Sequence, residues 1–291
     1  MIKLKAPATS ANLGAGYDIF GLALNKPTDH MKFERAKETK IELKGKYGEK
    51  IPEEVRENSA GVVINEMTDK GVRVVIEKNI PPGSGLGSSA ASAAGAAVGI
   101  NKLFDLGFSR REMLEFAALG EEAAAGEKHY DNVAPCLFGD FCLVDDEVVS
   151  IEVPDFRFVV VYPNSSNLTS EARKLVPKEV EIDELKENVG FASKLLLGLY
   201  EEDLELFGQG LNDSVVVPAR SKKIEGFEEA RDAALGAGAF GCTLSGSGPS
   251  MIAVGRNEEK IGMAMQDALK ELGISSEVYV AEPSKGVTIL E

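Results

Sequence analysis

Residues 81–100 read PPGSGLGSSAASAAGAAVGI. Glycines alternate through positions 83, 85 and 87, and then only Ser, Ala and Gly occur from 88 to 97. The stretch just before it, GVRVVIEKNI, alternates β-branched and polar residues as a half-buried strand does. Ser88 to Phe104 reads as a helix. A strand, a glycine turn and a helix start together form an anion site. The first N–H groups of the helix lack intrahelical partners, and glycines keep any Cβ out of the way. The helix dipole adds about 0.3–1 kcal/mol per charge. Serine hydroxyls can bond phosphate oxygens or Mg²⁺. The same letters also fit a helix pressed tightly on a sheet, with small residues for packing alone. Two familiar phosphate loops are excluded. No Lys follows as GxxxxGK[ST] requires, and Ser88 stands where the dinucleotide fingerprint needs its third glycine.

Around this loop the chain has the balance of a globular protein, with 44% hydrophobic and 27% charged residues over 291 positions, enough for two domains. No apolar run reaches the roughly 18 residues that span a bilayer. The N-terminus, MIKLKAPATS, lacks an apolar signal core, so a cytoplasmic location is expected. A net charge of −15 argues against a nucleic-acid partner, which needs a basic face. An anionic ligand must then be held by local devices: amides, a metal ion or a few placed arginines. Three cysteines without a CxxC spacing read as buried free thiols.

The elements alternate along the chain. Strands are expected at MIKLKAP, YDIFGLAL and KIELKG, and an Asn-capped helix at Asn58 to Asp69. A second amphipathic helix with a Ser cap runs from Ser109 to Ala125, and GDFCLVDDEVVSIEV reads as a hairpin about Asp145 and Asp146. Near Pro154 the pattern restarts with the strand FRFVVVYP. Helices follow at Glu184–Tyr200, Glu202–Leu211 and Glu225–Leu235. A second glycine–serine loop, LSGSGPS (244–250), leads into the strand MIAVG, a helix at Glu258–Leu272 and the strand SEVYVAEP. Two mixed α+β halves, 1–153 and 154–291, with a ligand between them, fit this order.

Three stretches, KAPATSANLGAGYD, PPGSGLGSSAA and LSGSGPS, together resemble the GHMP kinase superfamily, with the middle one as its phosphate loop. KAPATSANLGAGYD, KHYDNVAP (128–135) and TSEAR (169–173) resemble the homoserine kinase branch more than the others. The resemblance implies a ribosomal protein S5 domain 2-like first domain with a left-handed βαβ crossover and a ferredoxin-like second domain. It implies ATP and Mg²⁺, and transfer of phosphate to the hydroxyl of L-homoserine, a small-molecule substrate, on the way to threonine. Homodimers are common in this branch, so a homodimer is among the assemblies implied.

The family's sites fall on particular residues here. Pro82, Gly83, Ser84, Gly85, Leu86, Gly87, Ser88, Ser89, Ala90 and Ala91, with Gly246 and Gly248, match the phosphate-binding loops. Asn58 matches a nucleotide contact, although a simple helix cap explains it as well. Ser89 and Glu121 match the metal-binding pair, and Glu122 stands beside Glu121 as an alternative. Homoserine is a zwitterion. Its carboxylate wants a two-pronged guanidinium, and its ammonium wants a carboxylate. Arg173 and Arg220 match the former role, Asn12 and Asp18 match the groups near the amine and hydroxyl, and Thr169, His129 and Asn132 match others lining the pocket. Each alone also has an ordinary structural reading: a helix ion pair for Arg173, a turn for Asp18, a satisfied core histidine for His129. Where related kinases hold an aspartate base, this chain has Asn132, which takes no proton; Asp131 is its neighbour. Catalysis by positioning and charge neutralisation is therefore expected. Mevalonate and shikimate kinases are the nearest alternatives. A silent ligand sensor would have shed the loop serines or the metal carboxylate, and both are present.

Overall fold

The computed structural model describes residues 1–165 and 172–290. Its first half lays down β1 (Ile2–Ala11), β2 (Phe20–Arg35), β3 (Lys40–Lys44), α1 (Ser59–Met67) and β4 (Val72–Glu77). Then come α2 (Ser88–Phe104), α3 (Arg110–Ala125), α4 (Tyr130–Phe138), β5 (Phe141–Val144) and β6 (Val148–Ile151). The second half holds β7 (Phe158–Pro163), α5 (Ile182–Tyr200), α6 (Leu204–Gly210), α7 (Val216–Ser221) and α8 (Phe227–Gly236). It ends with β8 (Ala239–Leu244), β9 (Met251–Gly255), α9 (Glu258–Glu271), β10 (Ser276–Ala281) and β11 (Thr288–Leu290).

The first sheet runs β11-β1-β2-β4-β3, and β5 extends it from the near end of β2. Only β3 and β4 pair in parallel, because α1 connects them as a crossover. The second sheet is antiparallel in the order β10-β7-β9-β8. With helices after β7 and β9, that order is the ferredoxin-like arrangement. The fold is α+β, as expected. The closing strand β11 returns to the first sheet and pairs with β1.

The small residues of α2 pack the helix tightly on the sheet. A side chain at Gly95 would stand 2.3 Å from Met31 Sδ, and one at Gly99 would stand 2.4 Å from Phe33 Cε2. The helix thus lies directly on β2, with its alanines fully buried. β7 is buried on both faces: Phe158 and Val160 enter the main core, Val159 and Val161 the core beneath α8 and α9. That explains why FVVVY reads as a continuous apolar run rather than an alternating one.

The helix caps follow the sequence. Asn58 Oδ1 accepts from Ala60 N at 3.0 Å. Ser109 and Glu112 form a reciprocal capping box at the start of α3. Four of these elements depart from expectation, the short β11 among them. β2 continues past Pro27 to Arg35, pairing with β1 through an irregularity at Pro7/Ala8. α4 forms although Pro135 lies inside it, and the helix ends three residues later at Phe138. α7 is a short helix in what reads as a connection.

Candidate active site

The two glycine–serine loops meet. Ser245 Oγ donates to the Gly85 carbonyl at 2.8 Å and lies 2.9 Å from Ser10 Oγ. Ser250 N donates to Ser84 O, and Gly246 N to Ala11 O, each at 3.0 Å. Gly85 has φ +81°, and a Cβ there would stand 2.2 Å from Ser245 O. Gly87 has φ +64°, and its Cβ would stand 2.0 Å from Thr9 Oγ1. Both glycines are therefore required by backbone conformation and by close approach. Gly87 is the N-cap of α2 and brings no side chain to the helix start. The amides of the first turn of this 17-residue helix are left for another acceptor.

Beneath the loop lies a buried ion pair. Lys78 Nζ bonds Asp29 Oδ2, the Ser88 carbonyl at 2.9 Å and Ser92 Oγ at 2.9 Å. Asp29 Oδ1 in turn accepts from Asn79 N at 2.7 Å and Ile80 N at 2.9 Å. All three ammonium donors are used, and they fix the first turn of α2 against β4.

A cavity of about 470 Å³ opens above the loop. Pro82, Gly83, Ser84, Gly85, Gly87 and Ser88 line it, with Gly246 and Ser247 from the second loop. Leu86, Ala90 and Ala91 are fully buried in the core and do not line the cavity. Gly248 sits against Ile224 instead. Asn58 lines the cavity, but both ends of its amide are engaged, by Ala60 N and the Pro52 carbonyl.

The serines divide their work. Ser84 Oγ donates to Pro81 O at 2.6 Å, and Ser88 Oγ to Ile80 O at 2.9 Å. Ser89, half-buried on the cavity wall, makes no side-chain hydrogen bond among the described residues. Glu121, from α3, reaches the same space while only 5% exposed. Its Oε1 stands 3.5 Å from His129 Nδ1, an ion-pair distance, while Oε2 has no hydrogen-bond partner among the described residues. A buried carboxylate oxygen without a donor, lining the same cavity as a free hydroxyl, fits a hard divalent cation that keeps several waters. Among the described residues no cluster of three or more acidic, His or Cys side chains supplies a full metal cage.

α4 carries the next groups on its first turn. Asn132 Oδ1 accepts from Thr9 Oγ1 at 3.0 Å, across 123 residues of sequence. Asp131 lines the cavity and is 3% exposed. Burial pushes its carboxyl up to about 7, and the nearby Asp18 adds to the rise. Burial works against the charged form of His129, but Glu121 and Asp131 outweigh it and raise its pKa.

Two arginines occupy the far wall. Arg173 Nη1 donates to Asp18 Oδ2 at 2.7 Å and to the Tyr17 hydroxyl, and its Nε pairs with Glu127. Arg220, 5% exposed, reaches the Gly246 carbonyl at 3.2 Å and the Ala172 carbonyl at 3.4 Å. Asn12 Nδ2 donates to that same Gly246 carbonyl at 2.9 Å, and Asn12 Oδ1 accepts from Asp18 N at 3.0 Å. Arg220 makes no ion pair among the described residues. Burial lowers its pKa against the pull of Tyr17 and Asp18. Thr169 lies outside the described residues. The sequence reading had passed over Tyr17, Thr9, Ser245 and the Lys78–Asp29 pair.

The raised groups predict a pH effect on stability. Asp131 rises from 3.8 to about 7 on folding, so its stabilising contribution is complete below about pH 4 and is lost as pH climbs through 7. His129, also raised, contributes below 6.5 and loses that contribution above it. Urea unfolding of the ligand-free protein should show stability falling from about pH 4 to 7, with His129 carrying the fall on above 6.5. Asp131 accounts for a loss on the order of a few kcal/mol. Asp131→Asn should flatten most of that slope.

Residues 54–140 match the family model described as GHMP kinases N terminal domain, and residues 195–273 match GHMP kinases C terminal. A homoserine kinase of Haloarcula marismortui is 43% identical over 291 residues, covering 99% of this chain and all of that one. A homoserine kinase of Halorubrum lacusprofundi is 44% identical over 293 residues, covering both chains completely. A crystal structure of homoserine kinase from Cytophaga hutchinsonii superposes with TM-score 0.92 at 34% identity, covering 99% of this chain and 97% of the other. The two matched domains, the paired glycine loops and the full-length likeness converge: the chain belongs to the GHMP kinase family.

Proposed function

We propose that this chain transfers the γ-phosphoryl group of ATP to the side-chain hydroxyl of L-homoserine, giving O-phospho-L-homoserine. The observation that carries the acceptor's identity is Arg220. A buried guanidinium without an anionic partner among the described residues is costly unless a ligand supplies the anion. It shares its cavity with Arg173, Asp18 and the phosphate loop. A pair of arginines beside a carboxylate suits a zwitterionic amino acid, with its hydroxyl directed toward the loop. The full-length relatives named homoserine kinase support the same assignment.

The polyphosphate rests on the first-turn amides of α2, where the dipole and the positive-φ glycines favour it. Ser89 and Glu121 would hold Mg²⁺, which when bound neutralises developing charge on the phosphate oxygens. Thr9 fixes the Asn132 carbonyl oxygen, and the amide, which donates one N–H to Asp131 Oδ1 at 3.4 Å, has its second N–H for the reacting centre. Asn12 and Asp18 hold the acceptor's amine, and Arg173 and Arg220 its carboxylate. The rate comes chiefly from in-line positioning, with the hydroxyl proton passing to a phosphate oxygen. Asp131→Asn is therefore expected to lower kcat by less than about 10³-fold; a larger fall in a folded variant would make Asp131 a general base. The test of the function is a coupled ADP-release assay across homoserine, mevalonate, shikimate and galactose. Turnover of homoserine alone is the predicted result. Preference for another acceptor, or turnover of none, contradicts it.

A further inference from the structure

We infer that Tyr17 is a positioning and specificity residue: its aromatic ring allows Arg173 and Arg220 to converge on one acceptor carboxylate. This rests on the acceptor site just described. Two guanidiniums in one pocket repel each other, and Arg220 makes no direct ion pair among the described residues, feeling Asp18 and Asp131 only through space. The Tyr17 ring relieves it. Arg173 Cζ lies 5.7 Å from the ring centroid and Arg220 Cζ 5.1 Å, both within cation–π range. The Tyr17 hydroxyl also accepts a hydrogen bond from Arg173 Nη1, the same nitrogen that bonds Asp18. Tyr17 is half-buried in a loop whose shape is set by neighbours. Asn12, Leu13 and Asp18 all hold positive φ, and the Asn12 side chain is tied to both Asp18 N and the second glycine loop. One short segment thus presents a carboxylate, an aromatic face and a phenol oxygen to two arginines that come from distant parts of the chain.

The ring contacts the two arginines and none of the loop 82–91, so it acts on the ground-state grip of the acceptor rather than on the phosphates. Its loss should therefore move KM for homoserine and spare KM for ATP. In the full-length protein, Tyr17→Leu is expected to raise KM for homoserine about 10-fold or more, with kcat within about threefold and KM for ATP unchanged. Tyr17→Phe keeps the ring and loses the phenol contact to Arg173, so it should recover most of the affinity, leaving a two- to fivefold rise. If the Leu variant does not fold, the Phe variant decides by that smaller rise confined to homoserine. An unchanged homoserine KM, or equal rises for homoserine and ATP, overturns the inference. Wild-type protein that fails to phosphorylate homoserine overturns the acceptor assignment itself, and the inference with it.

Discussion

Lys78→Met is expected to cost about 3–5 kcal/mol of folding stability, read as a fall in the urea midpoint. The lysine and Asp29 are both fully buried, at 1% and 0% side-chain exposure. Methionine fits the space of the lysine stem but leaves the Asp29 charge without a counter-ion in the core. Asp29 keeps its bonds from Asn79 N and Ile80 N, which is why the cost stops short of complete unfolding. Total stabilities of domains are about 5–15 kcal/mol, so the loss is a large share of the whole. Adding Asp29→Asn should recover part of it, because the amide oxygen still accepts from those two N–H groups without a charge to compensate. Lys78→Met also frees the Ser88 carbonyl, which Lys78 anchors at 2.9 Å. KM for ATP should therefore rise in the double variant even where stability returns. A single variant as stable as wild type would show that the ion pair is energetically idle.

Glu121→Gln is expected to lower kcat about 10²- to 10³-fold while the protein stays folded. The substitution keeps the shape and removes the charge that would hold Mg²⁺ with Ser89, and such charge neutralisation contributes several kcal/mol to a transferring phosphoryl group. The Mg²⁺ concentration for half-maximal rate should rise as well. His129 loses its anionic neighbour in this variant, so its raised pKa should fall back. A full rate at ordinary Mg²⁺ would leave Glu121 only the task of pairing with His129.

Much of the frame was legible in the residues. Ser88 to Phe104 is a helix on the strength of its alanines, and Gly95 and Gly99, which weaken a helix, turn out to face Met31 and Phe33. Ser109 and Asn58 cap helices as their side chains dictate. Lys78 was also readable and was missed. Val72, Val74 and Ile76 are the inward residues of β4, and a step of two from Ile76 lands on Lys78. A lysine in the inward phase of a strand signals a buried partner. Tyr17 gave no such signal, because its meaning depends on Arg173 and Arg220, which lie more than 150 residues away in sequence. The helix α4 was hidden by Pro135, which forfeits the backbone bond to the Asp131 carbonyl inside a nine-residue helix. The strand β11 was hidden by brevity: three residues have no periodicity to read.

The central claim is spatial: a nucleotide's phosphates lie on the first-turn amides of α2, and the acceptor's carboxylate lies between Arg173 and Arg220. A crystal structure with Mg²⁺, a non-hydrolysable ATP analogue and L-homoserine tests it most directly. The account predicts phosphate oxygens within hydrogen-bonding distance of the Ser88–Ala90 amides, with the amino-acid hydroxyl facing the γ-phosphorus. Phosphates seated elsewhere, or homoserine held away from both arginines, would contradict it.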